Sequence, residues 1–147
     1  MKVEVLADAD SVAQAAATII AAEARVAVRT RGRFIVAVSG GRTPWQMLRM
    51  LAREDVPWNG VHVVQVDERI TPLGHPDRNL THLRESLLEQ APLRDEQIHP
   101  MPVELPDPDA AAASYRETLT EIAGTPPRWR LDNPGRTRES KTGSGSR

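Results

Sequence analysis

The chain has 147 residues, 39% of them hydrophobic and 27% charged, with a formal net charge of −1. That balance excludes a global field that would recruit nucleic acid or a membrane, and the absence of cysteine excludes disulfides, thiolate metal sites and a cysteine nucleophile. Met1–Val5 lacks the apolar core of a signal peptide and no apolar run approaches the roughly 18 residues that span a bilayer, so a cytoplasmic protein is predicted.

Val3–Leu6 reads as a short strand. Asp8, Asp10 and Ser11 are candidate helix caps. From Ser11 to about Arg29 apolar residues recur at three- and four-residue steps, which predicts one buried helical face, stopped by Gly32. Phe34–Val38 is a continuous apolar run, the mark of a strand covered on both faces in a parallel sheet. Ser39-Gly40-Gly41-Arg42-Thr43-Pro44 breaks it, and Pro44 opens a helix where its missing N–H costs nothing. Val61–Val66 is a second buried strand ending in Asp67-Glu68-Arg69. Ile70–Arg78 reads as a loop, and Asn79 as the N-cap of a helix to about Gln90. Gln97–Met101 is a weak strand, and a helix starts at Asp107 and stops at Gly124. Strands alternating with helices predict an α/β, Rossmann-like, mainly parallel sheet with flanking helices. Residues 1–124 form the folded part. Residues 125–147 read as a disordered basic tail, since Arg136–Arg147 contains no aliphatic residue and cannot bury enough surface to order itself.

Two constellations carry chemistry. In the turn Ser39–Pro44, glycines after a strand let backbone N–H groups approach an anion, and the helix that follows adds the positive end of its dipole. Ser39 and Thr43 add hydroxyl donors. The competing reading is a strand-to-helix turn that needs two glycines for geometry alone. Asp67-Glu68-Arg69 ends the next parallel strand and so falls on the same sheet edge. The Arg69 fork matches phosphate oxygens, and the carboxylates suit sugar hydroxyls; a surface ion pair is the alternative. None of His62, His75, His82 and His99 pairs at i, i+4, so no metal site is predicted. His62 reads as a packing residue, His82 has no evident partner, and His75 lies near the presumed site mouth, where it is a weak candidate for a base.

In this order and spacing the segments S-G-G-R-T-P (39–44), W-N-G-V-H-V-V-Q-V-D-E-R (58–69), H-P-D-R-N-L (75–80) and I-H-P-M-P (98–102), with the helix from Asp107, resemble 6-phosphogluconolactonase of the amino-sugar-phosphate isomerase superfamily. The related deaminases are expected to carry Asp-Glu-Tyr where this chain has Asp67-Glu68-Arg69. The resemblance implies metal- and cofactor-free hydrolysis of 6-phosphoglucono-δ-lactone to 6-phosphogluconate in the oxidative pentose phosphate pathway. It implies a substrate site holding Ser39, Gly40, Gly41, Thr43, Asp67 and Arg69, with Arg69 as the phosphate ligand, and it reads Asn79 as a helix cap.

The resemblance also implies a later Gly-His-Thr segment whose histidine is the general base. Arg128–Arg147 supplies none, so no residue inherits the catalytic role. The composition change near Arg128 is what a reading-frame shift or a truncation would produce. Activity is therefore expected to be impaired, with a non-catalytic sugar-phosphate-binding remnant as the alternative. The exposed edge of such a shortened sheet is expected to invite self-association.

Overall fold

The computed structural model describes residues 3–124; the proposed tail at 125–147 lies outside the described residues. Helix α1 spans Ala9–Arg31, strand β1 Phe34–Val38, helix α2 Arg42–Leu51, strand β2 Val61–Gln65, helix α3 Asn79–Leu83, strand β3 Ile98–His99 and helix α4 Pro108–Ala123. The sheet is three-stranded in the order β1-β2-β3, parallel throughout, in agreement with the predicted α/β class. Phe34 pairs with Val61 and Val38 with Gln65, so both strands end at one level and both following turns open on the same edge.

Each element follows from its residues. The Asp8 carboxylate accepts the Ser11 N–H at 2.7 Å and starts α1, while Gly32, at φ 75°, ends it. The buried face of α1 is alanine (Ala13, Ala17, Ala21, Ala24, Ala27), and those small side chains allow close packing against α2. Val61 and Val63 of β2 share the core with Leu48, Leu51, Leu83 and Leu87. Leu87 sits in a π-helical turn, Arg84–Leu88, that continues α3. There the buried Ser86 Oγ donates to the His82 carbonyl at 2.6 Å.

Four expectations are corrected. Val3–Leu6 is not a strand: among the described residues none of β1–β3 pairs with it, and Val3 and Val5 are exposed. Asn79 is not the N-cap of α3 but its first helical residue, after Arg78. The helix from Asn79 becomes π-helical at Arg84 and ends at Leu88, short of Gln90. Finally, α1 is long and apolar enough to cross a membrane. Its alanine content explains both that apolar character and the tight seat on α2.

The sheet is finished by a side chain. The β2–β3 ladder stops at Val64–His99. Beyond it the Tyr115 hydroxyl accepts the Gln65 N–H at 2.7 Å and donates to the Gln65 carbonyl at 2.8 Å. This replaces the missing rung and fastens α4 to the end of β2. The Gln65 side chain extends the same seam by accepting the Met101 N–H at 2.9 Å.

Candidate functional site

The carboxyl ends of β1 and β2 open into a cleft of about 590 Å³, lined by Gly40, Gly41, Trp45, Asp67, Arg69 and Asn79 among others. Ligands of parallel α/β sheets bind at this edge. Two of its walls are the predicted constellations. Gly41 lies at φ 126°, a conformation that disfavours any side chain. A Cβ at Gly40 would fall on the Asn79 carboxamide. Both glycines thus have geometric reasons to be there, and their backbone also borders the cleft.

Asn79 joins the walls. Its Nδ2 donates to the Asp67 carbonyl at 3.2 Å and to Asp67 Oδ2 at 3.1 Å, while its carboxamide abuts Gly40. The side chain is therefore a strut between the glycine turn and the end of β2. Capping of α3 falls instead to Glu68. Its Oε1 accepts the N–H groups of Arg69 (2.7 Å) and Asn79 (2.8 Å), and its Oε2 accepts those of Leu80 (2.8 Å) and the Gln65 side chain (2.9 Å). Burial opposes the charge on this carboxyl, but the hydrogen bonds from Gln65, Arg69, Leu80 and Asn79 prevail and hold its pKa below the ordinary value.

Beneath the cleft, Arg78 is wholly buried. Its Nε lies 3.5 Å from Glu68 Oε2 and its Nη2 2.5 Å from Glu104 Oε1, and Nη1 donates to the Thr71 carbonyl at 3.2 Å. One cation thereby ties the end of β2, the 69–78 loop and the segment after β3. Arginine is rarely buried unless paired, so nothing in the loop-like stretch Ile70–Arg78 marks Arg78 as interior.

Of the predicted site residues, Gly40, Gly41, Asp67 and Arg69 line one cleft. Ser39 in the adjoining turn and Thr43 in the first turn of α2 are exposed and lie outside that lining. Glu68 points inward and holds the backbone. The histidine on the cleft wall is His82, not His75. His75 is exposed and its Nδ1 accepts the Asp77 N–H within its own loop at 3.1 Å. His82 stacks on Trp45 with ring centroids 4.0 Å apart, and its Nε2 bonds the Pro76 carbonyl at 2.7 Å. Its spacing from Trp45 in sequence concealed this contact, which only the packing of α2 beside α3 creates. Among the described residues no group of three or more His, Cys, Asp or Glu side chains is placed to hold a metal ion.

A glycine turn, an arginine and a carboxylate are gathered at the carboxyl edge of the parallel sheet of an α/β domain, the edge at which such folds place small polar ligands. The family model described as glucosamine-6-phosphate isomerases/6-phosphogluconolactonase matches residues 7–133, and the chain belongs to that family. A 6-phosphogluconolactonase of Synechocystis is 34% identical over 118 residues, covering 80% of this chain and 49% of the relative. One from Pseudomonas putida is 35% identical over 127 residues, covering 86% and 51%. The crystal structure of 6-phosphogluconolactonase from Thermotoga maritima superposes with a TM-score of 0.72 at 25% identity, covering 79% of this chain and 52% of that one. A monomeric glucosamine-6-phosphate deaminase, at 18% identity and a TM-score of 0.72, shares the fold. The chain spans about half the length of the curated relatives it matches.

Proposed function

We propose that this cleft binds the phosphate and hydroxyls of 6-phosphoglucono-δ-lactone, and that the protein is a cytoplasmic 6-phosphogluconolactonase by descent. The observation that carries this reading is the convergence of Gly40 and Gly41 with Asp67 and Arg69 around one opening. Arg69 is exposed and free to fork onto phosphate oxygens. The glycine turn brings N–H groups and the start of α2 to the same anion, with Ser39 and Thr43 available as hydroxyl donors. The Asp67 carboxylate, oriented by Asn79, accepts from sugar hydroxyls. Binding needs no metal or cofactor.

Hydrolysis requires more. Water must be activated at the ring carbonyl, and a positioned general base is typically worth about 10²–10⁴ in rate. The 147 residues contain no Gly-His-Thr segment, and this favours a second reading, in which the chain binds the sugar phosphate without hydrolysing it. Calorimetric titration with 6-phosphogluconate, beside a lactonase assay corrected for spontaneous opening, distinguishes the two. The binding site predicts saturable uptake that Arg69→Ala weakens by about tenfold or more, with an unchanged thermal melt because Arg69 is exposed. Absence of saturable binding to the wild-type chain overturns the reading. Hydrolysis above background that His82→Ala abolishes would identify an unexpected base on the cleft wall.

A further inference from the structure

Helix α1 carries a second stripe on the side opposite its alanine core face. Val12, Ile19 and Val26 are 43%, 64% and 45% exposed. Ala15 and Ala22 lie between them, so apolar residues recur alternately at three and four residues along Val12-Ala15-Ile19-Ala22-Val26. That is the register of a helix–helix seam, with β-branched residues at one seam position and alanine at the other; the small alanines allow a close interaxial approach. The ends of the stripe are charged and of opposite sign. Asp8 precedes Val12 by four residues and Arg29 follows Val26 by three, continuing the alternation, and both are exposed.

We propose that this stripe is a self-association surface on which a second copy of the chain lays its own α1 in the antiparallel sense, about a two-fold axis beside Ile19. The stripe is its own complement when reversed. Val12 then meets Val26 of the other copy and Ile19 meets Ile19, while Ala15 and Ala22 pack across the seam one residue out of that register and Asp8 at each end lies beside Arg29. A parallel arrangement would set Asp8 against Asp8 and Arg29 against Arg29, and like charges directly opposed disfavour it. Opposed helix dipoles favour the antiparallel sense as well. Such an interface is isologous and closes at two copies. One flank of the stripe is already ordered: Thr18 Oγ1 donates to Glu54 Oε1 at 3.1 Å, and Arg25 Nη1 to the Asp55 carbonyl at 2.5 Å. The partner therefore meets a fixed face. None of the stripe residues lines the cleft, and the inference does not depend on the proposed ligand.

The test uses the 147-residue chain, which contains no cysteine. Sedimentation velocity at about 100 μM, where an association of ~10 μM is well populated, is expected to show a dimer. Ile19→Glu is expected to weaken it by about tenfold or more without changing the far-UV circular dichroism melt, since Ile19 is exposed. Under mild oxidation Ile19→Cys is expected to cross-link with itself. Val12→Cys and Val26→Cys are each expected to stay uncross-linked alone and to form a mixed disulfide dimer when combined. A wild-type chain that is monomeric at that concentration overturns the proposal. So does a dimer that survives Ile19→Glu, which would point to a sheet edge, or self-cross-linking of Val12→Cys, which would mean a parallel arrangement.

Discussion

The Asn79 carboxamide occupies the space into which a side chain at Gly40 would project. The same carboxamide donates to both the backbone and the side chain of Asp67. The two arms of the cleft, one following β1 and one following β2, are thereby held at a fixed separation by a single residue from α3. Gly40 is thus a residue of close approach as well as of backbone freedom near an anion.

That relationship predicts a compensating pair. Gly40→Ala should displace the Asn79 carboxamide, release Asp67 and lower the affinity for 6-phosphogluconate by about tenfold or more, since a small displacement of a positioned group is costly. Asn79→Ala removes the strut but also the obstruction. Combined with Gly40→Ala it should lose less than the sum of the two single changes, because residues in contact are not additive. Calorimetric titration of the three variants checks this; strict additivity would mean that the two residues do not share the space.

Glu68 supplies a second prediction. Its side chain is fully buried beside Arg78, and removing one partner of a buried ion pair typically costs about 3–5 kcal/mol. Glu68→Gln should therefore lower unfolding stability by about that range in urea titration at neutral pH. The folded carboxyl titrates below its ordinary value of 4.5, so the unfolded chain binds the proton more readily. The stabilisation is complete above about 4.5 and is lost as the pH falls through the folded value. Glu68→Gln should flatten that acid limb. An unchanged limb would place the acid sensitivity elsewhere.

The histidine pair on the sheet gives a prediction at milder pH. His62 Nδ1 and His99 Nε2 share a hydrogen bond of 3.0 Å, and the rings lie nearly parallel. Burial lowers both pKa values from 6.5; Arg33 and Arg94 push His62 further down, and each added charge would also face the other ring. The folded state thus binds fewer protons than the unfolded chain. Stability should be complete above about 6.5 and decline as the pH falls below it. Replacing both rings by glutamine should remove that decline in melts recorded across the range. A slope that persists in the double variant would assign it to other groups.

The contribution of the sequence can be followed residue by residue. Phe34–Val38 and Val61–Val66 are legible as parallel strands because both are continuous apolar runs bounded by breakers, and that pattern is local; burial on both faces holds for most of β2, which ends at Gln65, whereas β1 is largely half-buried with Ala37 exposed. Val3–Leu6 has similar composition without becoming a strand, because pairing requires a neighbour that composition does not reveal. The cleft was half legible for the same reason. Glycines after one strand and Asp67 and Arg69 after the next must share an edge once the sheet is parallel, so Gly40, Gly41, Asp67 and Arg69 could be named in advance. Trp45, His82 and Arg78 could not, since their places depend on how α2, α3 and the 69–78 loop pack.

The α/β alternation, the shared parallel edge and the glycine, acid and arginine residues on it are all readable in the chain, because periodicity and turn residues act over a few positions. The division of roles between Glu68 and Asn79 follows instead from long-range packing. Glu68 became the cap and Asn79 the strut, the reverse of what short-range capping preference suggests. The reason is that a buried carboxylate must collect donors wherever the fold supplies them. At the end of β2 those donors are the N–H groups that open α3, which lie eleven and twelve residues further along the chain.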